Sequence, residues 1–493
     1  MKTWLVKAKT YGLALASSVM LVAGAVALVS CAGSGGPIGV ATGGNGGGGV
    51  SAAFVALEPA GQKGATYIGP NVCKTCHNGE GGYEAIYAEW TNTVHYTKGV
   101  TCENCHGPGS KHAAGPAATN IIGFPTNNSY VVCAQCHGQI ATDWSNSPHA
   151  QLAGGGFPVQ DAASNPEGAG KGERCLSCHS GLLRAEYTER GKDPSTMTDA
   201  QIVGVANDTL KTVPYTASCA TCHNPHKKTG NIDVDGDDVQ LYHAVAQTNI
   251  APVAIGKSAA SFTTMNQVCA ECHNGWGSDP SDAALNNQAK NSRPSFHEGP
   301  QYNMLMGFSG VDGGGYTVGS ATHATMAGQC AKCHMPPAGA LGEDRHTFTV
   351  SYDVSCTPCH TPADAANRAA TIQAQTEAGE LQLLQRLQSW SAANYKGSTV
   401  QWDYPGQGSS ANQSNVPIQI KRARHNYYFV LNDRSYGPHN AAYTNLLLQV
   451  ANQNLDAINV APSSKVDMSP AQMKSTLDAQ FKQESAEDRS VGP

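Results

Sequence analysis

Sixteen of the seventeen cysteines fall into eight C-x-x-C-H groups, and the seventeenth, Cys31, stands apart near the N-terminus. The groups are Cys73/Cys76/His77, Cys102/Cys105/His106, Cys133/Cys136/His137, Cys175/Cys178/His179, Cys219/Cys222/His223, Cys269/Cys272/His273, Cys330/Cys333/His334 and Cys356/Cys359/His360. Two thiols three residues apart can add across the two vinyl groups of one haem, and the next residue then sets an imidazole on the iron as proximal ligand. Zinc ribbons and disulfide frameworks also use cysteine pairs, but neither needs a histidine after every second cysteine. With 18 His in 493 residues, eight such coincidences lie far outside chance, and the pattern reads as eight covalent c-type haems.

Ten histidines remain for the opposite faces of eight irons: His95, His112, His149, His226, His243, His297, His323, His346, His425 and His439. Complete bis-histidine ligation is therefore available with two to spare, and Met304, Met306, Met326 or Met335 are not needed as ligands. Tyr83, Tyr87, Trp90 and Val94 recur at helical spacing, which predicts a short helix presenting His95. Trp90-x-x-Thr93-x-His95 recurs as Trp144-x-x-Ser147-x-His149, so both histidines read as distal ligands. The Gly107-Pro108-Gly109 turn should swing His112 towards a neighbouring haem. His226 and His346 closely follow their own motif histidines, and each is expected to serve the next haem.

Cys-His-Gly-Pro-Gly, Cys-His-Asn-Pro-His, Cys-His-Met-Pro with a later His346-Thr-Phe, and Asp433-Arg-Ser-Tyr-Gly-Pro-His439-Asn440 together resemble signatures of bacterial multihaem c-type cytochromes. The set is similar to that of the nitrite reductase and octahaem hydroxylamine oxidoreductase superfamily, and of the outer-surface cytochromes of metal-reducing bacteria. It covers about Asn71 to Leu448. The resemblance implies distal ligands at His95, His112, His149, His226, His323, His346 and His439, with His297 next, leaving His243 and His425 as surface or core residues.

That superfamily also contains enzymes, which need one open iron. Its nitrite reductases commonly carry lysine in place of a motif histidine, and no C-x-x-C-K occurs here. Its hydroxylamine oxidoreductases use a tyrosine cross-linked haem, and nothing places Tyr427 or Tyr428 at one. Closed bis-histidine irons suit electron transfer over substrate activation, so the expected role is a conduit with no catalytic residue. The alternative is a redox enzyme acting on nitrogen or sulfur compounds of the nitrite, hydroxylamine or tetrathionate type.

The motifs must be held by the rest of the chain. Their irregular spacing excludes a solenoid repeat. Gly, Pro, Asn and Ser fill the gaps, so residues 66–362 should be loops and short helices packed on haem. Haem then replaces much of the side-chain core, and folding should depend on its insertion. Residues 363–493 differ: Ala363–Tyr395, Ile418–Leu431 and Ala441–Leu455 read as helices, with His439 just before the last. The expected fold class is mainly α with extensive loops, a core built around eight haems and a C-terminal helical flank. Asn231-x-Asp233-x-Asp235-Gly236-Asp237 resembles the start of a calcium loop, though Tyr242 stands where a bidentate Glu belongs and an acidic solvated turn is the competing reading.

Residues 1–30 carry Lys2, Lys7 and Lys9 before an apolar stretch from Leu13 to Val29 that ends Leu28-Val29-Ser30-Cys31. This resembles a bacterial lipoprotein signal, with lipid on Cys31; an uncleaved helix is the other reading. Residues 31–65 are glycine-rich and read as a tether with a reach of order 30 Å. An exported outer-membrane lipoprotein at the cell surface follows, with the anchor as its membrane contact. Formal charge is -6, so no nucleic-acid partner is expected. Expected partners are envelope cytochromes and an extracellular acceptor. Low charge and abundant small polar residues would also suit self-association into an oligomer or filament.

Overall fold

The longest helix among the described residues begins where the motifs end. Thr361 caps it by accepting a hydrogen bond from the Asp364 N–H at 3.2 Å, and Pro362 occupies the first helical position, where its missing N–H breaks nothing. This helix, α1 (Pro362–Asn394), runs 33 residues, about 50 Å. Helix α2 (Ile418–Asp433) follows Pro417, and α3 (Ala441–Asp456) is capped by Asn440, whose side chain accepts from the Tyr443 N–H at 3.1 Å. Helix α4 (Pro470–Val491) closes the group. The first three start and stop within two residues of the sequence expectation.

The computed structural model describes residues 50–80, 85–124, 130–151, 181, 217–246, 267–275, 278–287, 299–336, 346–357, 359–405 and 408–491. Leu383 and Leu387 of α1, Ile420, Ala423 and Phe429 of α2, Leu447, Ala451 and Leu455 of α3 and Leu477 of α4 are fully buried in one core. Arg386 crosses from α1 to the end of α3, donating to Asp456 at 2.6 Å, to Asn452 Oδ1 at 2.7 Å and to the Val460 carbonyl at 2.7 Å.

The haem-motif region is built differently. Helices there are short, the longest of the described ones being Gly138–Ser145. Its apolar clusters are smaller than the helical core: Ala270, Tyr302, Leu305, Met306, Phe308 and Ala324 form one, Phe54, Ile122 and Val132 another, and Leu241, Val245 and Ala331 a third. Among the described residues there is no extended strand, only the isolated bridges His223–Leu241, Ala244–Gln267 and Pro405–Ser409. No described helix is long and apolar enough to cross a membrane.

The segment delivering His95 departs from expectation. Instead of one helix there are two turns, Ile86–Trp90 and Val94–Thr97. Thr93 separates them, its hydroxyl accepting from the Tyr96 N–H at 3.2 Å, while Trp90 is buried beneath. A side-chain cap competes here with continued helix.

Candidate functional site

Each described motif folds into a helical turn. The histidine N–H donates to the carbonyl of the first cysteine in the motifs starting at Cys73 (3.0 Å), Cys133 (2.8 Å), Cys219 (3.0 Å), Cys269 (2.8 Å) and Cys356 (2.9 Å). The other two lie within the helices Cys102–His106 and Gln329–His334. One turn therefore gathers both thiols and the imidazole on neighbouring positions, as attachment to a single macrocycle requires.

Six motif histidines face a second imidazole. Ring centres are 6.4 Å apart for His77–His112, 6.3 Å for His95–His137, 6.1 Å for His106–His226, 6.0 Å for His149–His273, 6.3 Å for His223–His346 and 6.2 Å for His334–His439. A metal–imidazole bond of about 2 Å plus roughly 1 Å from nitrogen to ring centre puts two rings sharing one metal about 6 Å apart. Direct ring stacking would bring them closer, and unrelated histidines would scatter. The pairs line one continuous cavity of about 3100 Å³, several times the roughly 300–1,000 Å³ of a pocket for one small ligand. The residues fit c-type haem.

The rings are also set in the right tautomer. Nδ1–H donates to a backbone carbonyl in His106 (Ile122, 2.8 Å), His112 (Ala117, 3.2 Å), His223 (Val239, 2.8 Å), His323 (Pro438, 3.0 Å) and His334 (Phe348, 3.0 Å). His273 uses the Gln301 side chain at 3.1 Å, His360 uses Asp364 at 3.2 Å and His439 uses Asp433 at 2.6 Å. With Nδ1 engaged, Nε2 is the nitrogen left for iron. Burial, with His273 and His346 nearby, pushes His149 down to about 4. Burial likewise takes His223 to about 4, so both rings are neutral and keep the lone pair that ligation needs. For His439 burial again opposes the charged form, but the charge and hydrogen bond of Asp433 outweigh it and raise the ring.

Neighbouring thiols reveal the order of the motifs along the cavity. The Cys73 thiol lies beside that of Cys102, Cys133 beside Cys219 and Cys269 beside Cys330. Cys105 lies within electrostatic reach of Cys133, Cys269 of Cys222, and Cys333 of Cys356. The seven described attachment turns therefore follow one another in chain order.

The distal histidines do not. His112 faces the preceding motif, as its turn suggested. His226 and His346 were expected to serve the next haem, but they face the second and fifth motifs, both earlier in the chain. His95 is tied to the Pro225 carbonyl, directly before His226, which links two such pairs. His323 and His360 line the cavity without a facing imidazole of this kind among the described residues. His243 lines it as well, with Nδ1 3.7 Å from Glu271, which the sequence reading had left among the spares. His425 is the core histidine anticipated: fully buried in α2, its Nε2 bonds to the Ser309 carbonyl at 2.9 Å. Cys31, Cys175, Cys178, His179 and His297 lie outside the described residues.

The loop that carries His439 is tightly constrained. Arg434, Tyr436 and Gly437 all have left-handed backbone, with φ of 61°, 54° and 112°. A Cβ on Gly437 would come within 2.5 Å of Ile372 Cγ2 and 3.0 Å of Thr376 Oγ1 on α1. Gly437→Ala should therefore cost about 2 kcal/mol or more and displace His439. Thermal unfolding together with a fall in the low-spin haem fraction checks this, and an unchanged spectrum would show that the ligand does not depend on the turn.

Near the acidic loop, Asp233 Oδ1 accepts from the Asp235 and Asp237 N–H groups, both at 2.9 Å. No group of three His, Cys, Asp or Glu among the described residues is arranged to hold a metal ion there or elsewhere.

Two family descriptions match the chain: cytochrome c552 over residues 84–149, and cytochrome c554 and c-prime over residues 132–224. The C-type polyheme cytochrome OmcC of Geobacter sulfurreducens is 26% identical over 225 residues, 43% of this chain and 27% of that protein. OmcB of the same species is 23% identical over 396 residues, 68% of this chain and 52% of that protein. The chain thus spans about half or less of the curated relatives it matches. Among solved structures, the undecaheme cytochrome from the S-layer of Carboxydothermus ferrireducens gives a TM-score of 0.45 at 21% identity, covering 74% of this chain and 51% of that one. The outer cell wall cytochrome OcwA gives 0.43 at 19%, covering 72% and 70%. A chain that repeats one haem-attachment turn along a shared cavity, and matches a polyheme cytochrome over 68% of its length, is a multihaem c-type cytochrome.

Proposed function

We propose that this cytochrome conducts electrons through bis-histidine haems at the outer surface of the cell, receiving them from other redox proteins of the envelope and passing them to an extracellular acceptor. The observation that carries this is the set of six imidazole pairs, whose spacing would let them close both faces of six irons. Haem, when bound, supplies a one-electron ferric/ferrous couple. The chain's own residues do the rest: the cysteines would fix each ring, and the Nδ1 partners described above orient the histidines that have them.

The ligand set comprises the eight motif histidines with His95, His112, His149, His226, His346 and His439 opposite six of them, and His323 and His297 for the remaining two. Eight motifs argue for eight haems, and the lipoprotein-like N-terminus argues for a lipid anchor at Cys31. The surface setting in this reading rests on that N-terminal signature.

Low-temperature EPR of the oxidised, haem-quantified protein tests the reading. Eight low-spin irons per chain are expected. A high-spin iron that responds to nitrite or hydroxylamine would overturn it in favour of a redox enzyme.

A further inference from the structure

Of the Nδ1 partners in the cavity, one differs in kind. His439 donates to Asp433 Oδ1 at 2.6 Å, and Asp433 is almost wholly buried, at 1% exposure. Its other oxygen accepts from the Ser435 hydroxyl and from the Ser435 N–H at 3.3 Å. Among the described residues no lysine or arginine pairs with it. Asp364, the other carboxylate on a ligand ring, is exposed and shared with Arg368, whose Nε lies 2.8 Å from both its oxygens. The remaining partners named above are neutral carbonyl and amide oxygens. His439 thus bears a buried negative charge with no cationic counterweight.

We propose that Asp433 is a redox-tuning residue: acting through His439, it makes the haem of the Cys330/Cys333/His334 motif the most reducing along the cavity. The inference rests on reading His334 and His439 as the axial ligands of one haem. A carboxylate that holds the Nδ1 proton gives the ring imidazolate character, and the stronger Nε2 donor favours ferric over ferrous iron. A fixed negative charge in a water-poor setting acts in the same direction. Reduction adds one electron to the iron; the proton stays between Nδ1 and the carboxylate, and no bond breaks.

Position gives the tuning a purpose. Cys330 touches Cys269, and Cys333 lies beside Cys356, so this motif stands between the sixth and the eighth. Electrons crossing between those two would meet an energetic step, and the haem at the end of the array would be set apart from the others.

The test is a spectroelectrochemical titration of the full-length, haem-loaded protein. Asp433→Asn should move the most reducing fraction, about one eighth of the haem absorbance by motif count, to a less negative potential, and Asp433→Glu should restore it. An unmoved low end in D433N overturns the proposal. If D433N loses haem, Ser435→Ala decides: removing the hydroxyl donor makes the carboxylate a stronger acceptor, so the same fraction should become more reducing, and no shift or the opposite shift overturns the proposal. Neither measurement involves an external acceptor. Failure to pass electrons onward would sink the conduit and leave the tuning standing, whereas a wild-type high-spin iron traced to His334 would overturn the tuning itself.

Discussion

Produced without haem attachment, the chain should lose the ordered structure of the described motif turns before Pro362 while α1 to α4 remain helical. The two parts differ in what buries their surfaces. Leucines, aromatics and aliphatics from all four helices fill one side-chain core. In the motif region a cluster such as Phe54, Ile122 and Val132 contributes about 5–9 kcal/mol at roughly 1.5–3 kcal/mol per buried side chain. Ordering each residue around it costs about 1–2 kcal/mol, so clusters of that size cannot hold several dozen residues without the macrocycles that fill the cavity. Hydrogen exchange on the haem-free chain checks this directly. Protected amides across the motif turns would show that the region folds on its side chains alone.

His226→Ala should have a large spectroscopic effect. It removes the imidazole facing His106 and also the link between the Cys102 turn and the segment after Cys222. One haem in eight, by motif count, should become high-spin and bind carbon monoxide when reduced. Stability should fall by about 2 kcal/mol or more, because a cross-link between distant segments is lost. His425→Ala is the matched control. That ring bonds to the Ser309 carbonyl inside the helical core, so its loss should cost about 1–3 kcal/mol and leave the haem spectrum unchanged. A high-spin signal from H425A, or none from H226A, would show that the two histidines have been assigned the wrong roles.

Attachment chemistry was legible in the sequence because covalent linkage to one haem needs fixed residues at fixed local spacing. The helices of residues 363–493 were legible for a similar reason: Thr361-Pro362 marks a start, and the long Pro-free stretch that follows supports a helix. The distal pairing was not. Which iron His226 or His346 reaches depends on how loops cross the cavity, and neither residue carries a local mark of its partner. The Nδ1 contacts were hidden as well, since most are backbone carbonyls such as those of Ile122, Val239 and Phe348, whose residue types say nothing of their role. Asp433 did stand in a recognised motif, yet only the fold turns its carboxylate onto His439.

Four of the six facing histidines, His112, His226, His346 and His439, lie later in the chain than the motif they face, and this bears on the sequence in which the protein can be completed. A polypeptide is made from its N-terminus, so on the proposed ligation the Cys102/Cys105 haem would wait for residue 226, the Cys219/Cys222 haem for residue 346, and the Cys330/Cys333 haem for residue 439. Truncation before His439 would, on the proposed ligation, leave that last iron with one side open to peroxide and small ligands, whatever the state of the motifs upstream. The assembly would thus carry its own mark of completeness: on that ligation a chain needs His439 to close the iron bound to His334, and incomplete products would be chemically distinguishable from finished ones.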